Sequence, residues 1–181
     1  MAVHQGGVER SLPDLTGERT WRAMVPADVD AVAEVARVGF PDHFEGRDCF
    51  ENRLALNPAG CFVLSDDRGA VGGYLIAYPW RHERVPALNT LIEALPQDAD
   101  VVYLHDLAIA PTMRGGGHSR PIVERLAQQA RADGWSALAL VAVNDAVAFW
   151  QGHGFVVHDS PALRTRLAGY GHSARYMVRR L

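Results

Sequence analysis

Cysteine is nearly absent from this sequence. Cys49 and Cys61 are the only two in 181 residues, and no Cys-x-x-Cys pair exists. That favours reduced thiols in a cytosolic protein over a disulfide framework. Long hydrophobic runs are missing as well. The longest nearly apolar stretch, "SALALVAV", falls far short of the roughly 20 residues that cross a bilayer. The opening "MAVHQGGVERSLPDLTGE" carries no apolar signal core, so a cytoplasmic protein is expected. There is no excess of either charge, with 18 Lys and Arg against 21 Asp and Glu. Without a basic stripe, neither nucleic acid nor a membrane is an expected partner. The 8 histidines are scattered, without His-Glu-x-x-His or any Cys/His group at ligand spacing. No metal is therefore expected. No Gly-x-Ser-x-Gly elbow of a serine hydrolase occurs, and no internal repeat or low-complexity segment either.

What remains is an ordinary globular composition, 48% hydrophobic and 22% charged, at a length suited to one domain. Residues 1–19 are polar and without periodicity and read as a loose tail, leaving 20–181 as the domain. "TWRAM" suits a short strand. Val29, Val32, Ala33, Ala36 and Phe40 follow helical spacing, with Asp28 as a cap and Pro41 as the stop. "RDCFENRLAL" predicts a second helix. "CFVLS" and "VGGYLIAY", joined by "DDRG", predict a hairpin. The segment "PWRHERVPALNTLIEALPQDAD" is long for a connection, with one helical turn expected around 88–95. "VVYLHDLAIA" is a strand. The next helix, "SRPIVERLAQQARADG", shows an apolar stripe of Ile122, Val123, Leu126, Ala127 and Ala130. "SALALVAV" reads as a buried central strand, "DAVAFWQGHG" as a short helix, and "FVV" and "ARYMVRRL" as closing strands. The class is α/β or α+β mixed.

The stretch "RGGGHSRP" lies between a strand and a helix. A helix N-terminus presents unsatisfied N–H groups and about half a positive charge, which attract anions. Gly115, Gly116 and Gly117 leave the backbone open to a phosphate, Ser119 can cap the helix, and Pro121 suits its first turn. The pattern is not a Walker A loop, because Gly117 is followed by His118 and Ser119 in place of Lys-Ser or Lys-Thr. Nor is it a dinucleotide fingerprint, since Arg120 stands where the third glycine belongs.

What remains, Arg114-x-x-Gly117-x-Ser119, resembles the pyrophosphate loop of the GNAT (GCN5-related) N-acetyltransferases, Arg/Gln-x-x-Gly-x-Gly/Ala. Ser119 departs from its last position. "YLHDLAIAP" is similar to that family's fourth strand, and "NDAVAFWQGHGF" to its Asn-Ala-Phe-Tyr-Gly-Phe segment, through Asn144, Phe149, Trp150, Gly154 and Phe155. The resemblance is specific over about 101–157. It implies a central mixed, mostly antiparallel sheet flanked by helices, and acetyl-CoA as co-substrate. It further implies that Leu107, Ala108 and Ile109 pair with the pantetheine arm, and that Arg114, Gly115, Gly116, Gly117, His118 and Ser119 hold the pyrophosphate. Asn144, Phe149 and Trp150 would lie beside the arm.

The implied reaction is acetyl transfer to the primary amine of a small molecule by direct transfer in a ternary complex. A base must help free the amine at neutral pH. His105 is the first candidate, because imidazole titrates near 6.5. "YLHDLAI" also resembles the His-x-His-x-Leu-Ala-Val strand of arylalkylamine acetyltransferases, with Tyr103 replacing the first histidine. Alternation puts Tyr103 and His105 on one face and Asp106 on the other unless a bulge intervenes; Asp106 could recognise a cationic amine. Trp150 stands where many relatives carry a tyrosine acid, and indole cannot titrate. Tyr103, Tyr170 and Tyr176 are the alternatives. Trp80, His82 and Glu83 are candidates for the acceptor wall. Two other readings stay open: an acyl-CoA-binding module without turnover, and acetylation of a protein terminus or lysine. A homodimer also stays open.

Overall fold

The computed structural model describes residues 17–181, so most of the expected tail, 1–16, lies outside the described residues. A seven-stranded sheet runs in the order β1-β2-β3-β4-β5-β7-β6. Its strands are β1 Thr20–Ala23, β2 Cys61–Ser65, β3 Val71–Trp80, β4 Val101–Ile109, β5 Ala137–Ala142, β6 Val156–Val157 and β7 Arg175–Arg180. Only β4 and β5 are parallel; every other neighbouring pair is antiparallel. The sheet is thus mixed and mostly antiparallel, as expected.

Helices α1 (Val29–Gly39) and α2 (Arg47–Leu56) cover one face. Val29, Val32 and Phe50 pack there against Val63, Tyr74, Ile76, Tyr78 and Tyr103. Helix α3 (Ser119–Ala132) covers the other face. Its stripe of Ile122, Val123, Leu126, Ala127 and Ala130 is entirely buried, against Leu75, Leu104, Leu138 and Leu140. Each large side chain there contributes about 1.5–3 kcal/mol by leaving water. Two shorter helices, α4 (Val147–Gln151) and α5 (Pro161–Arg166), precede and follow β6. Both cysteines are free and buried. Among the described residues no helix is long and apolar enough to cross a membrane.

Two local expectations fail, each for a visible reason. Residues 88–95 form turns and bends instead of a helical turn. Side chains of α2 take the backbone groups that a helix would have used. Asn52 Nδ2 donates to the Ile92 carbonyl, Ile92 N–H donates to Asn52 Oδ1, and Arg53 donates to the Thr90 carbonyl. Ser119 is the first residue of α3 instead of its cap, and its hydroxyl lies 3.3 Å from His153 Nε2.

Candidate active site

Strands β4 and β5 pair only at Val102↔Leu138 and Tyr103↔Ala139. Beyond that point they part, and Leu104 to Ile109 run without a β5 neighbour. A cavity of about 480 Å³ fills the gap, walled by the second half of β4 on one side and by Leu140, Val141 and Val143 on the other. The backbone groups of β4 that face this seam have no β5 ladder partners and can pair with a ligand.

One end of the cavity is the glycine loop. Gly115 and Gly117 have φ of +87° and +67°, the left-handed region where other residues are strained. A side chain at either would touch nothing within 4 Å, so the backbone angle, not crowding, requires glycine there. Both line the cavity with Arg114, His118 and Ser119; Gly116 does not. Arg114 Nε donates to the carbonyl of Ile109 at 2.9 Å, tying the loop to the end of β4. Trp21 Nε1 donates to the carbonyl of His118 at 2.8 Å, anchoring the far side of the loop to β1. Helix α3 begins immediately after, with its N-terminus toward the loop. Asn144 and Asp145 both have positive φ and turn the chain out of β5. Asn144, Phe149 and Trp150 line the cavity, as do Leu107, Ala108 and Ile109 of β4. Trp150 is buried, with its ring 5.4 Å from that of Phe155.

The other end carries charge. The β3–β4 register shifts between Ile76 and Ala77, so Asp106 pairs with Ile76 and Leu104 with Ala77. His105 is the extra residue of this bulge, and His105 and Asp106 therefore project to the same face. Each bonds a tyrosine of the α1–α2 side: Tyr78 Oη lies 3.1 Å from His105 Nδ1, and Tyr74 Oη donates to Asp106 at 3.0 Å. His105 Nε2 lies 2.5 Å from Glu45 Oε2, with the two side chains 4% and 5% exposed. Glu45 comes from the α1–α2 connection. It also accepts from Asn89 N–H at 3.2 Å and sits 3.7 Å from the buried Arg53 guanidinium.

Burial pushes the Glu45 carboxyl up, but the hydrogen bond and charge of His105, with Arg53 behind, hold it below the ordinary range. Burial pushes the imidazole of His105 down, but the charge of Asp106 and the bond to Glu45 win and raise it. Asp106 is raised, chiefly by burial, with Glu45 adding repulsion. The three groups share their protons as one set, and both nitrogens of His105 are already engaged.

All three residues singled out for catalysis, Tyr103, His105 and Asp106, line the cavity. Burial raises the Tyr103 phenol well above its usual value. Tyr170 also faces the cavity, whereas Tyr176, pushed up to about 12 by burial, does not. Trp80, His82 and Glu83 do not line the cavity either; Leu88 represents that connection on the wall. Glu45 was missed, because nothing around it in "DHFEG" signals burial. Arg53 was the one clue, a charge on the apolar face of α2 beside Cys49, Phe50 and Leu54 that needs a buried partner.

The model of the acetyltransferase (GNAT) family matches residues 29–155. A search of curated proteins finds no match. Among solved structures, N-acetylglutamate synthase from Neisseria gonorrhoeae, complexed with coenzyme A and N-acetyl-glutamate, superposes with a TM-score of 0.68 at 19% identity. That match covers 91% of this chain but only 35% of the synthase. A phosphinothricin acetyltransferase from Sinorhizobium meliloti, in complex with AcCoA, gives 0.64 at 20% identity over 90% of this chain and 88% of the other. The GNAT-like decarboxylase GphF, in complex with isobutyryl-CoA, gives 0.69 at 18% identity over 89% and 98%. At these identities the likeness concerns the fold alone.

Proposed function

This chain belongs to the GNAT acetyltransferase family, and we propose that it transfers an acetyl group from acetyl-CoA directly to the primary amine of a small molecule. One observation carries the reading. A single cavity joins a glycine-rich helix N-terminus, suited to a pyrophosphate, to a buried acid–base set, suited to an amine proton.

The pyrophosphate binds at Gly115, Gly117 and the first N–H groups of α3, while the seam on β4 takes the extended arm. The amine nitrogen attacks the thioester carbonyl carbon, and the C–S bond breaks with its electron pair leaving on sulfur. The proton that the attacking nitrogen then sheds passes through solvent to the thiolate. Backbone N–H groups of β4 stabilise charge developing on the carbonyl oxygen. An alkylammonium has a pKa near 10.4, so binding as the free amine needs a proton acceptor. Glu45, His105 and Asp106 serve as that acceptor together. His105 alone has no free nitrogen, but a proton reaching either carboxylate enters a network that already shares one. Neither cysteine takes part, and burial pushes the Cys61 thiol up to about 12.

Thermal stability with acetyl-CoA, compared with NAD and ATP, tests the binding half of this reading. A ligand at 100 times its Kd adds about 2.7 kcal/mol, so a shift with acetyl-CoA alone is expected. Free-thiol release over a panel of small amines and peptides tests the chemical half. His105→Ala should lower kcat by about 100-fold near neutrality and by less at high pH, where the amine loses its own proton. A second reading, acyl-CoA binding without turnover, is favoured by Trp150 and by the engagement of both His105 nitrogens. Acetyl-CoA binding with no thiol release from any amine would establish it.

A further inference from the structure

Spacing along the chain gave no reason to expect a metal, yet the fold gathers ligands from two distant segments outside the cleft. His82 and Glu83 stand just after β3, and His158 just after β6. One ligand atom from each lies within 4.8 Å of the others. We propose that His82, Glu83 and His158 form a binding site for a divalent transition-metal ion of the zinc class.

Two imidazoles and one carboxylate are the donor types that zinc and its neighbours prefer, and three protein ligands leave a position for water. His158 Nε2 lies 2.6 Å from Glu83 Oε1, and the rings of His82 and His158 are 4.8 Å apart between centroids. A metal at about 2.0–2.2 Å from each ligand would separate these atoms by about 1 Å more than a hydrogen bond does. Glu83 and His158 have the freedom to move, being 28% and 39% exposed, and the same exposure gives an ion access.

The surroundings hold these ligands from behind, as outer partners do in metal sites. Tyr176 Oη lies 3.4 Å from His82 Nδ1 and accepts the Glu83 N–H at 3.0 Å. His82 N–H donates to Asp100 Oδ1 at 2.6 Å, and Arg166 donates to the Glu83 carbonyl at 2.7 Å. Glu83 has a φ of +58°, a left-handed conformation for a residue that is not glycine. Four contacts from three segments thus hold a strained backbone that presents one carboxylate between two imidazoles.

A second triad, Glu45, His105 and Asp106, is equally close-set but is not a metal site. Both His105 nitrogens are engaged there, and the Arg53 guanidinium stands 3.7 Å from Glu45, where it would repel a cation. Beside Glu83, by contrast, the Arg166 guanidinium is directed to a backbone carbonyl.

An occupied site would fasten the β3–β4 connection to the β6–β7 segment. These two segments supply Leu88 and Tyr170 to the cavity wall, and Tyr170 Oη already donates to the Pro86 carbonyl between them. The metal is therefore a brace for that wall. Its existence does not depend on the transfer reaction.

The test uses the full chain, stripped with a chelator and titrated with Co²⁺ and Zn²⁺. Visible d–d absorption of bound Co²⁺, displaced by Zn²⁺, and a rise of several degrees in Tm with Zn²⁺ are expected. His82→Ala and His158→Ala should each weaken binding by at least about tenfold. His172→Ala, outside the triad, should leave it unchanged. His158→Gln keeps a donor toward Glu83, so its metal-free Tm should stay close to that of the parent while its Zn²⁺ response is lost. No Co²⁺ spectrum, or binding undiminished in His82→Ala and His158→Ala, would overturn the proposal. So would a His158→Gln variant that loses Tm equally with and without metal, since the histidine would then be only a partner of Glu83.

Discussion

The two ends of the cavity are built on opposite plans. The glycine-loop end is local: Arg114 to Ser119 form one continuous stretch, exposed as far as Gly117 and shaped by backbone angles. The acid–base end is assembled from afar: Glu45 and His105 are 60 residues apart, buried, and held by a partner network. The first end depends on conformation and the second on electrostatic balance, so they should fail differently when broken.

The largest effect is expected at the assembled end. Glu45→Gln leaves the His105–Arg53 pair without its counter-charge and should cost about 3 kcal/mol of stability, read by denaturant unfolding. Its pH dependence follows from the directions of the shifts. His105 is raised, so its contribution is full below about 6.5 and is lost as pH rises through its raised value. Glu45 is lowered, so its contribution is present above about 4.3 and is lost as pH falls through its lowered value. The difference between parent and Glu45→Gln should therefore be greatest between these limits and should shrink above neutrality. Asp106, raised, works the other way in both proteins, favouring the fold when protonated. A difference that is flat with pH would show that the pair is not ionised.

Gly117→Asp should rank next. It sets a negative charge where the proposed pyrophosphate would bind and a side chain at φ +67°, yet its Cβ meets no neighbour in the fold. Acetyl-CoA binding should weaken about 100-fold, near 2.7 kcal/mol, with circular dichroism unchanged. Unchanged affinity would remove the phosphate role and leave the loop a mere turn. The smallest effect is expected for Trp21→Phe, which removes the donor to the His118 carbonyl. A loss of about fivefold in acetyl-CoA affinity, near 1 kcal/mol, should appear by calorimetry with KM rising and kcat kept. A fall in kcat instead would mean that the two ends are coupled through α3.

This contrast also explains what could be read before the fold was known. The loop was legible because its grammar is contiguous: a strand, then glycines, then a helix with Pro121 in its first turn. The stripe of α3 was legible through periodicity, and the end of α2 through the Asn57-Pro58-Ala59-Gly60 stop that closes it. Glu45 was not, because burial of a loop acid depends on what α2 and β4 place around it. Asp106 stood on the opposite face by simple alternation, and only the bulge at His105 turned it inward. The helical turn expected at 88–95 failed for a similar reason. Side chains of Asn52 and Arg53 competed for its backbone groups, and no window along the sequence contains both partners. The joining of His82 to His158 belongs to the same class.

The parting of β4 from β5 has a mechanical meaning too. Strands β1 to β4 form one plate and β5 to β7 another, and two residue pairs weld them, where every other neighbouring pair except the short β6–β7 has a longer ladder. A plate joined along so short a weld can flex about it, and its bare amides exchange with solvent. An extended ligand lying in the gap hydrogen-bonds to one plate while packing on the other. Occupancy then stiffens the whole sheet, and those amides between Leu104 and Ile109 that point away from β3 should exchange slowly only when the gap is filled.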